Sequence, residues 1–330
     1  MADMCKISVA LCTFNGERFI KKQLESILSQ TRRIDELIVC DDNSTDKTLA
    51  ILAEVTKNAH FATHIEINDT RLGSTKNFEK ALQRCTGDII FLCDQDDEWV
   101  PEKVSKQVAF LDENPNVDAV FTDALIIDEN SQATGSKLWE KIEFDSNCKQ
   151  IWQSGRGYVL LFGGYVVTGA TLAIRRRALP RLLPFPVINK QLIHDGWIAL
   201  ILSLDNKIQF IDACLLRYRI HKKQQVGLGQ PQPMVTLTDR LNRPRAEKLE
   251  PIQLKADYLC QLYELLNTRQ FAGKVSLSEL REMKNHFEVR ANLPANKIAR
   301  AKPIWQEWRQ KRYKYSSKDW WRPLWGDLLE

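Results

Sequence analysis

The sequence predicts an α/β fold built on a mainly parallel sheet, and three observations lead there. Short β-branched runs alternate with amphipathic stretches through the first half of the chain. The connections between them are short, as in successive βαβ units. Polar residues collect just where the apolar runs end, the rim on which open parallel sheets bind ligands.

In chain order, strands are expected at Ile7–Cys12, Glu36–Cys40, His64–Ile67, Asp88–Cys93 and Val117–Thr122. Helical spacing fills the gaps at Glu17–Ser29, Thr45–Lys57, Ser74–Cys85 and Pro101–Glu113. Helices on both faces would cover such a sheet. From about Ile151 the pattern changes to a helix, a Gly-rich turn, a strand at Ala170–Arg175, a short helix around His194–Ser203 and a strand at Ile208–Arg219. The polar stretch KKQQVGLGQPQP then marks a domain edge. Residues 235–290 read as helices, and 297–325 as a basic, Trp-rich tail. The expected division is a catalytic domain over residues 1–224 and a helical extension over 225–330.

A chain of 330 residues, 44% apolar and 27% charged, can bury a large core and is neither disordered nor collagenous. Its net charge of +5 conceals a split. Residues 225–330 carry 19 Lys/Arg against 12 Asp/Glu, which leaves 28 against 30 in the first 224. That balance gives no ground for a nucleic-acid partner. The eight cysteines are scattered without a C-x-x-C pair, and several end apolar runs such as LIVC and IIFLC. They suit a reducing compartment better than a disulfide framework. MADMCKISVALC carries no signal-peptide pattern, and no window reaches about 18 uninterrupted apolar residues. The expectation is a cytoplasmic protein.

The segment Phe91–Trp99 leaves an apolar strand directly into Asp94, Asp96, Asp97 and Glu98. Carboxylates this close repel one another unless a cation is present. Two readings fit: a site for a hard divalent ion shared with substrate phosphates, or a solvated acidic cap before Pro101. Strand two also ends in carboxylates, Asp41 and Asp42, followed by the capping types Asn43, Ser44 and Thr45. With Thr13 and Asn15 ending strand one, three polar strand ends share a rim and favour a nucleotide pocket.

These segments resemble a known family. CTFNGERFIKKQLESILSQ, DELIVCDDNSTDKT, NDTRLGSTKNFEKAL and GDIIFLCDQDDEWVPEKV look like the N-terminal half of family 2 glycosyltransferases with the GT-A fold. The likeness spans about Ile7–Val104 and continues through GGYVVTGATLAIRRRAL, HDGWIALIL and YRIHKKQQVG. The last two look most like bacterial enzymes that build rhamnose-containing or related surface polysaccharides. The resemblance implies that Thr13, Asn15 and Asp42 line the nucleobase and ribose pocket, and that Arg71 approaches the base or phosphates. It implies that Asp94 and Asp96 form the D-x-D pair near Mn²⁺ or Mg²⁺, with His221 a further metal or diphosphate contact. Asp195, within His194-Asp195-Gly196-Trp197, matches the catalytic base of inverting members. The family often has Glu where this chain has His194.

Bland readings stand beside these. Asp195 also fits an N-cap of a helix Gly196–Ser203, and His221 a surface histidine beside Lys222. Arg217 and Arg219 fit either the outward face of a strand or a diphosphate contact. Trp99 and Trp197 fit either sugar platforms or buried anchors. Gly163, Gly164 and Gly169 fit either close backbone approach to an acceptor sugar or a tight bend. The tail holds nine Lys/Arg, two acids and five of the nine tryptophans. It suits an anionic membrane surface or a helix docked on the catalytic domain.

The expected activity is therefore inverting, metal-dependent sugar transfer from a UDP- or dTDP-sugar to a glycan or lipid-linked acceptor, at the inner face of the membrane if the tail engages it. A sugar-nucleotide nucleotidyltransferase and a non-catalytic nucleotide-binding scaffold are the rivals. Thr13-Phe14-Asn15-Gly16-Glu17 is a poor phosphate loop for the first.

Overall fold

The computed structural model describes residues 5–164, 166–186, 188, 192–222, 224, 244–271 and 273–329. The chain divides into two compact units, Met1–Val187 with Leu192–Leu228, and Gly229–Glu330 with Ile188–Gln191. Most of the KKQQVGLGQPQP stretch lies outside the described residues.

The first unit alternates as its sequence dictates: β1 Ile7–Thr13, α1 Ile20–Leu28, β2 Glu36–Asp41, α2 Thr48–Thr56, β3 Ala62–Ile67, α3 Ser74–Arg84 and β4 Ile89–Asp94. Next come β5 Glu98–Trp99, α4 Lys103–Glu113, β6 Ala119–Ile127 and β7 Ala133–Lys137. The short helices α5 Leu138–Lys141, α6 Ser146–Ile151 and α7 Gly157–Gly163 lead to β8 Ala173–Arg175, α8 Leu179–Leu182, α9 His194–Leu204 and β9 Ile208–Arg219. The sheet order is β3-β2-β1-β4-β8-β6-β9-β5, with β7 pairing with β6 off this path. The long ladders β1–β2, β1–β4, β2–β3 and β6–β9 are parallel. Antiparallel pairs come only from the short strands β5, β7 and β8. Every residue of β1 and β2 is buried, which explains their unbroken apolar runs.

Several expected boundaries move: the first helix starts at Ile20, not Glu17, the third strand at Ala62, not His64, and the fifth expected strand runs Ala119–Ile127, not Val117–Thr122. The helix expected from Thr45 begins at Thr48, because Asn43 turns left-handed (φ 65) and Asp46, not Asn43 or Ser44, accepts the Thr48 amide. The strand expected from Ala170 opens with a 3-10 turn at Gly169–Thr171 and becomes strand only at Ala173. The helix expected from Pro101 starts at Lys103. All eight cysteines are free, and five of them are buried.

Register places the chemistry. Thr13 pairs with Asp41 and Cys12 with Asp94, so the carboxyl ends of β1, β2 and β4 finish level. The opposite ends are tied by Glu36, whose carboxylate accepts from Ser8 Oγ (2.5 Å), Thr86 N (2.6 Å) and Thr86 Oγ1 (2.7 Å) and pairs with Lys6 Nζ (3.2 Å). Burial alone would raise its pKa, but these bonds outweigh burial and hold it at about 2, below the usual 4.5. A carboxylate depressed in the folded state stabilises above its unfolded pKa and ceases to do so as pH falls through the folded one. Glu36→Gln should therefore cost on the order of 3 kcal/mol at pH 7. The deficit against wild type should shrink as pH falls from about 4.5 toward about 2. Urea midpoints of both proteins at pH 7 and pH 3 read it directly.

The second unit is helical: α10 Arg245–Thr268, α11 Lys274–Ala291, α12 Lys297–Arg309 and α13 Trp321–Leu329. Leu259, Leu262 and Leu266 of α10 and Leu280, Met283 and Phe287 of α11 are buried. Asn296 caps α12, its Oδ1 accepting from Ile298 N at 2.9 Å.

Candidate active site

A cavity of about 1220 Å³ opens at the carboxyl ends of β1, β2 and β4. All eight residues singled out from the sequence line it: Thr13, Asn15, Asp42, Arg71, Asp94, Asp96, Asp195 and His221.

Several of these side chains shape the cavity as much as they face it. The Thr13 hydroxyl donates to Asp41 Oδ2 (2.6 Å), which also takes the Ser44 hydroxyl (2.6 Å). Asn15 is left-handed (φ 47), and its Oδ1 accepts from Thr45 N at 2.9 Å. Asp42, buried, accepts from Leu72 N (2.6 Å), Gly73 N (2.9 Å) and Asn68 Nδ2 (3.0 Å), which fixes the loop carrying Arg71. The Arg71 guanidinium lies 3.8 Å over the Phe14 ring and 3.9 Å from Asp42 Oδ2. Its side chain remains half exposed.

Gln95 locks the first turn to the acidic loop: its Oε1 accepts from Phe14 N (2.8 Å) and its Nε2 donates to Phe14 O (3.0 Å). A Cβ at Gly16 would come within 2.2 Å of that Oε1. Gly16→Ala should therefore prise Gln95 off Phe14 and weaken ligand binding in the cavity roughly tenfold, measurable by titration with nucleoside diphosphates.

The acidic loop divides into two pairs. Asp94 and Asp96 face the cavity, and Asp96 Oδ2 lies 2.8 Å from His221 Nε2. Burial, and then the Asp96 and Asp195 carboxylates, push the Asp94 pKa up to about 8. Asp97 and Glu98 instead serve structure. Asp97 is buried and accepts from Arg219 N (2.9 Å), while Glu98 takes Arg219 Nη2 (2.5 Å) and the Ser131 hydroxyl (2.5 Å). Arg219 also donates to the carbonyls of Asp96 (Nε, 2.6 Å) and Asp128 (Nη1, 2.8 Å). The expectation that Arg219 faces outward is corrected: its side chain is wholly buried, because it threads the acidic loop to β6 and β9. The excess of Asp97 and Glu98 over any cation's need was the signal for it.

Asp195 lies in the first turn of α9, one residue inside the helix and so not its N-cap. Its Oδ2 accepts from Gly169 N (3.0 Å) and its Oδ1 from Gly196 N (2.6 Å). Gly169 permits close approach, to Asp195 itself: a Cβ there would stand 3.3 Å from Asp195 Cβ and 3.1 Å from His194 Nε2. A Cβ at Gly163 or Gly164 would meet nothing within 4 Å. His194 is buried with both ring nitrogens unpartnered and stacks on Phe78 (4.2 Å, 21°). Burial lowers its pKa, so the ring is neutral. Trp99 and Trp197 are buried anchors, not platforms, and Trp197 Nε1 donates to Leu182 O.

A cavity with paired carboxylates at the carboxyl ends of parallel strands marks the place where α/β sheets of this class bind ligands. The family follows from comparison. Residues 8–182 match the family described as Glycosyl transferase family 2, so the chain belongs to that family and is a glycosyltransferase. The putative glycosyltransferase EpsE of Bacillus subtilis is 39% identical over 126 residues, 38% of this chain and 45% of EpsE. The chain thus spans less than half the length of that relative. An Escherichia coli protein is 24% identical over 216 residues, 65% of this chain and 77% of its own. It is named UDP-Glc:alpha-D-GlcNAc-diphosphoundecaprenol beta-1,3-glucosyltransferase WfgD. Among solved structures, the mannosyltransferase PcManGT of Pyrobaculum calidifontis, in complex with GDP-Man and Mn2+, superposes with a TM-score of 0.52. That match has 16% identity and covers 99% of this chain and 85% of that one. The fold is GT-A.

Proposed function

We propose that the protein is an inverting, metal-dependent glycosyltransferase. It would move a sugar from a UDP- or dTDP-sugar to a glycan or lipid-linked saccharide in bacterial surface polysaccharide synthesis, working at the cytoplasmic face of the membrane. The domain roles follow: residues 1–224 carry catalysis and 225–330 form an extension. The observation that carries the reading is the convergence of Asp94, Asp96 and Asp195 on one cavity, where burial and then the neighbouring carboxylates raise the Asp94 pKa to about 8. Carboxylates left so close call for a cation.

The donor set fits a divalent ion. Asp94, Asp96 and the His221 imidazole bring oxygen and nitrogen ligands together, and Arg219 is spent on the Asp96 carbonyl, not its carboxylate. Among the described residues no three His, Cys, Asp or Glu side chains stand together as a metal cage, so a Mg²⁺ or Mn²⁺ ion would need further oxygens from a bound diphosphate. When bound, the ion supplies Lewis-acid stabilisation of the charge growing on the departing diphosphate. Arg71, beside Asp42, would meet the nucleotide, and Thr13, Asn15 and Asp42 would shape its base and ribose pocket.

Asp195 is the proposed base. Two backbone amides orient its carboxylate, so it can take the proton of an acceptor hydroxyl as that oxygen attacks the anomeric carbon. The new C–O bond forms as the bond to the diphosphate breaks, and the electron pair leaves with the nucleotide. One displacement inverts the anomeric centre. WfgD, by its name, acts on an undecaprenol-linked acceptor, and PcManGT holds Mn2+ with its nucleotide sugar; both support the reading for this chain.

Calorimetry tests it. UDP, dTDP or GDP should bind with Mn²⁺ present and at least tenfold more weakly with EDTA or in Asp96→Asn. Affinity unaffected by both would refute metal-assisted donor binding.

A further inference from the structure

Five of the nine tryptophans fall between 305 and 325, and each stands about half exposed: Trp305, Trp308, Trp320, Trp321 and Trp325, at 46–53%. Exposed large apolar side chains scattered singly are ordinary, whereas a run of them marks an interaction surface. These run in stripes. On α12, Ile298 and Trp305 are seven residues apart, with Lys302 and Arg309 on the same face. On α13, Trp321, Trp325 and Leu329 recur every fourth residue, all exposed.

The helices are not short of a core. Ile304 of α12 and Leu324 and Leu328 of α13 pack with Leu293 and Tyr313. Beneath them Asp327 takes Arg290 (2.7 Å) and the Tyr313 hydroxyl (2.8 Å), and Glu307 takes His286 (2.7 Å). The indoles are therefore what remains outside after both helices have buried their other faces.

Charge accompanies them. Lys297, Lys302, Arg309, Lys311, Lys314 and Arg322 are exposed, against one exposed acid, Asp319, among the described residues of 297–329. Arg309 lies 5.4 Å over Trp305 and Arg322 5.4 Å over Trp321, so cation and indole are presented together.

We propose that α12 and α13 dock on an anionic phospholipid surface, with the indoles at the boundary of headgroups and acyl chains and the cations against lipid phosphates. No helix among the described residues is long and apolar enough to cross a bilayer, so this segment lies on the membrane. None of its residues lines the nucleotide cavity, and the inference goes beyond sugar transfer and does not depend on it.

The test uses the full chain with phosphatidylcholine vesicles, with or without phosphatidylglycerol, followed by co-sedimentation and tryptophan emission. Wild type should bind the anionic vesicles, shift its emission to the blue, and release at high salt. The double variant Trp321→Ser/Trp325→Ser should lower partition roughly tenfold. Lys302→Glu/Arg309→Glu, which keeps every indole, should lower it comparably. Both should leave nucleoside-diphosphate release on a soluble acceptor unchanged. The proposal fails if wild type ignores anionic vesicles at low salt, or if both variants bind as wild type does. It fails equally if the indoles instead mediate self-association or glycan binding without vesicle binding. Loss of sugar transfer in wild type with vesicle binding intact would count against the proposed function alone.

Discussion

Asp195→Asn should reduce kcat by about 10²–10⁴, the usual contribution of a positioned general base, while the donor still binds. The amide is isosteric and its oxygen can still accept from Gly169 N, which keeps the Gly169 turn, while its NH2 faces Gly196 N and gives up only that one bond. What it lacks is a basic oxygen for the acceptor proton. Asp195→Glu tests placement. Gly169 and His194 crowd this residue so closely that a Cβ at 169 would stand 3.1 Å from His194 Nε2 and 3.3 Å from Asp195 Cβ. A longer carboxylate must reach its proton from a displaced position, and activity should fall nearly as far. Steady-state kinetics on the two variants, with circular dichroism to confirm folding, separates these effects. Turnover unchanged in both would remove Asp195 from the reaction.

Arg219→Ala should be the most damaging substitution to the fold of the acidic loop. The guanidinium is wholly buried, ties the carbonyls of Asp96 and Asp128, and balances Glu98. Its loss leaves the carbonyls of Asp96 and Asp128 without their donor and Glu98 with only Arg217 and Ser131, which should cost on the order of 3 kcal/mol. Arg219→Lys keeps the charge but not the planar fork, and should recover only part of that. Because Arg219 holds the carbonyl of Asp96 while leaving its carboxylate to the cavity, Mn²⁺ affinity should fall alongside stability. Denaturant midpoints and Mn²⁺ titration of both variants read the two effects, and a lysine variant equal to wild type in both would show that charge alone suffices.

The fold was legible wherever local pattern governs. The parallel strands β1, β2, β4 and β9 announce themselves as continuous apolar or alternating runs, and Ile208–Arg219 was placed to the residue. The rim was legible too, because carboxylates directly after an apolar strand need a reason. What stayed hidden depends on distant partners. Arg219 sits in Leu216-Tyr218-Ile220 alternation that reads as an exposed face, yet its partners Asp128, Glu98 and Asp96 lie 91, 121 and 123 residues earlier. Strand β5 is two residues long and exists only through β9. The antiparallel insertion of β8 between β4 and β6 has no local signature, since three residues encode neither direction nor neighbour. Asp42 and Thr13 were identified at the pocket, but that their polar atoms are partly spent on Leu72, Gly73 and Asp41 is a matter of tertiary geometry.

Nucleoside-diphosphate release from a panel of UDP-, dTDP- and GDP-sugars, with Mn²⁺ or Mg²⁺ and a polyprenyl-linked saccharide acceptor, tests the central claim most directly. Acceptor-dependent release from at least one donor, abolished by EDTA and by Asp195→Asn, is the expected result. Release that persists undiminished in EDTA and in Asp195→Asn would contradict a metal-assisted displacement with Asp195 as its base.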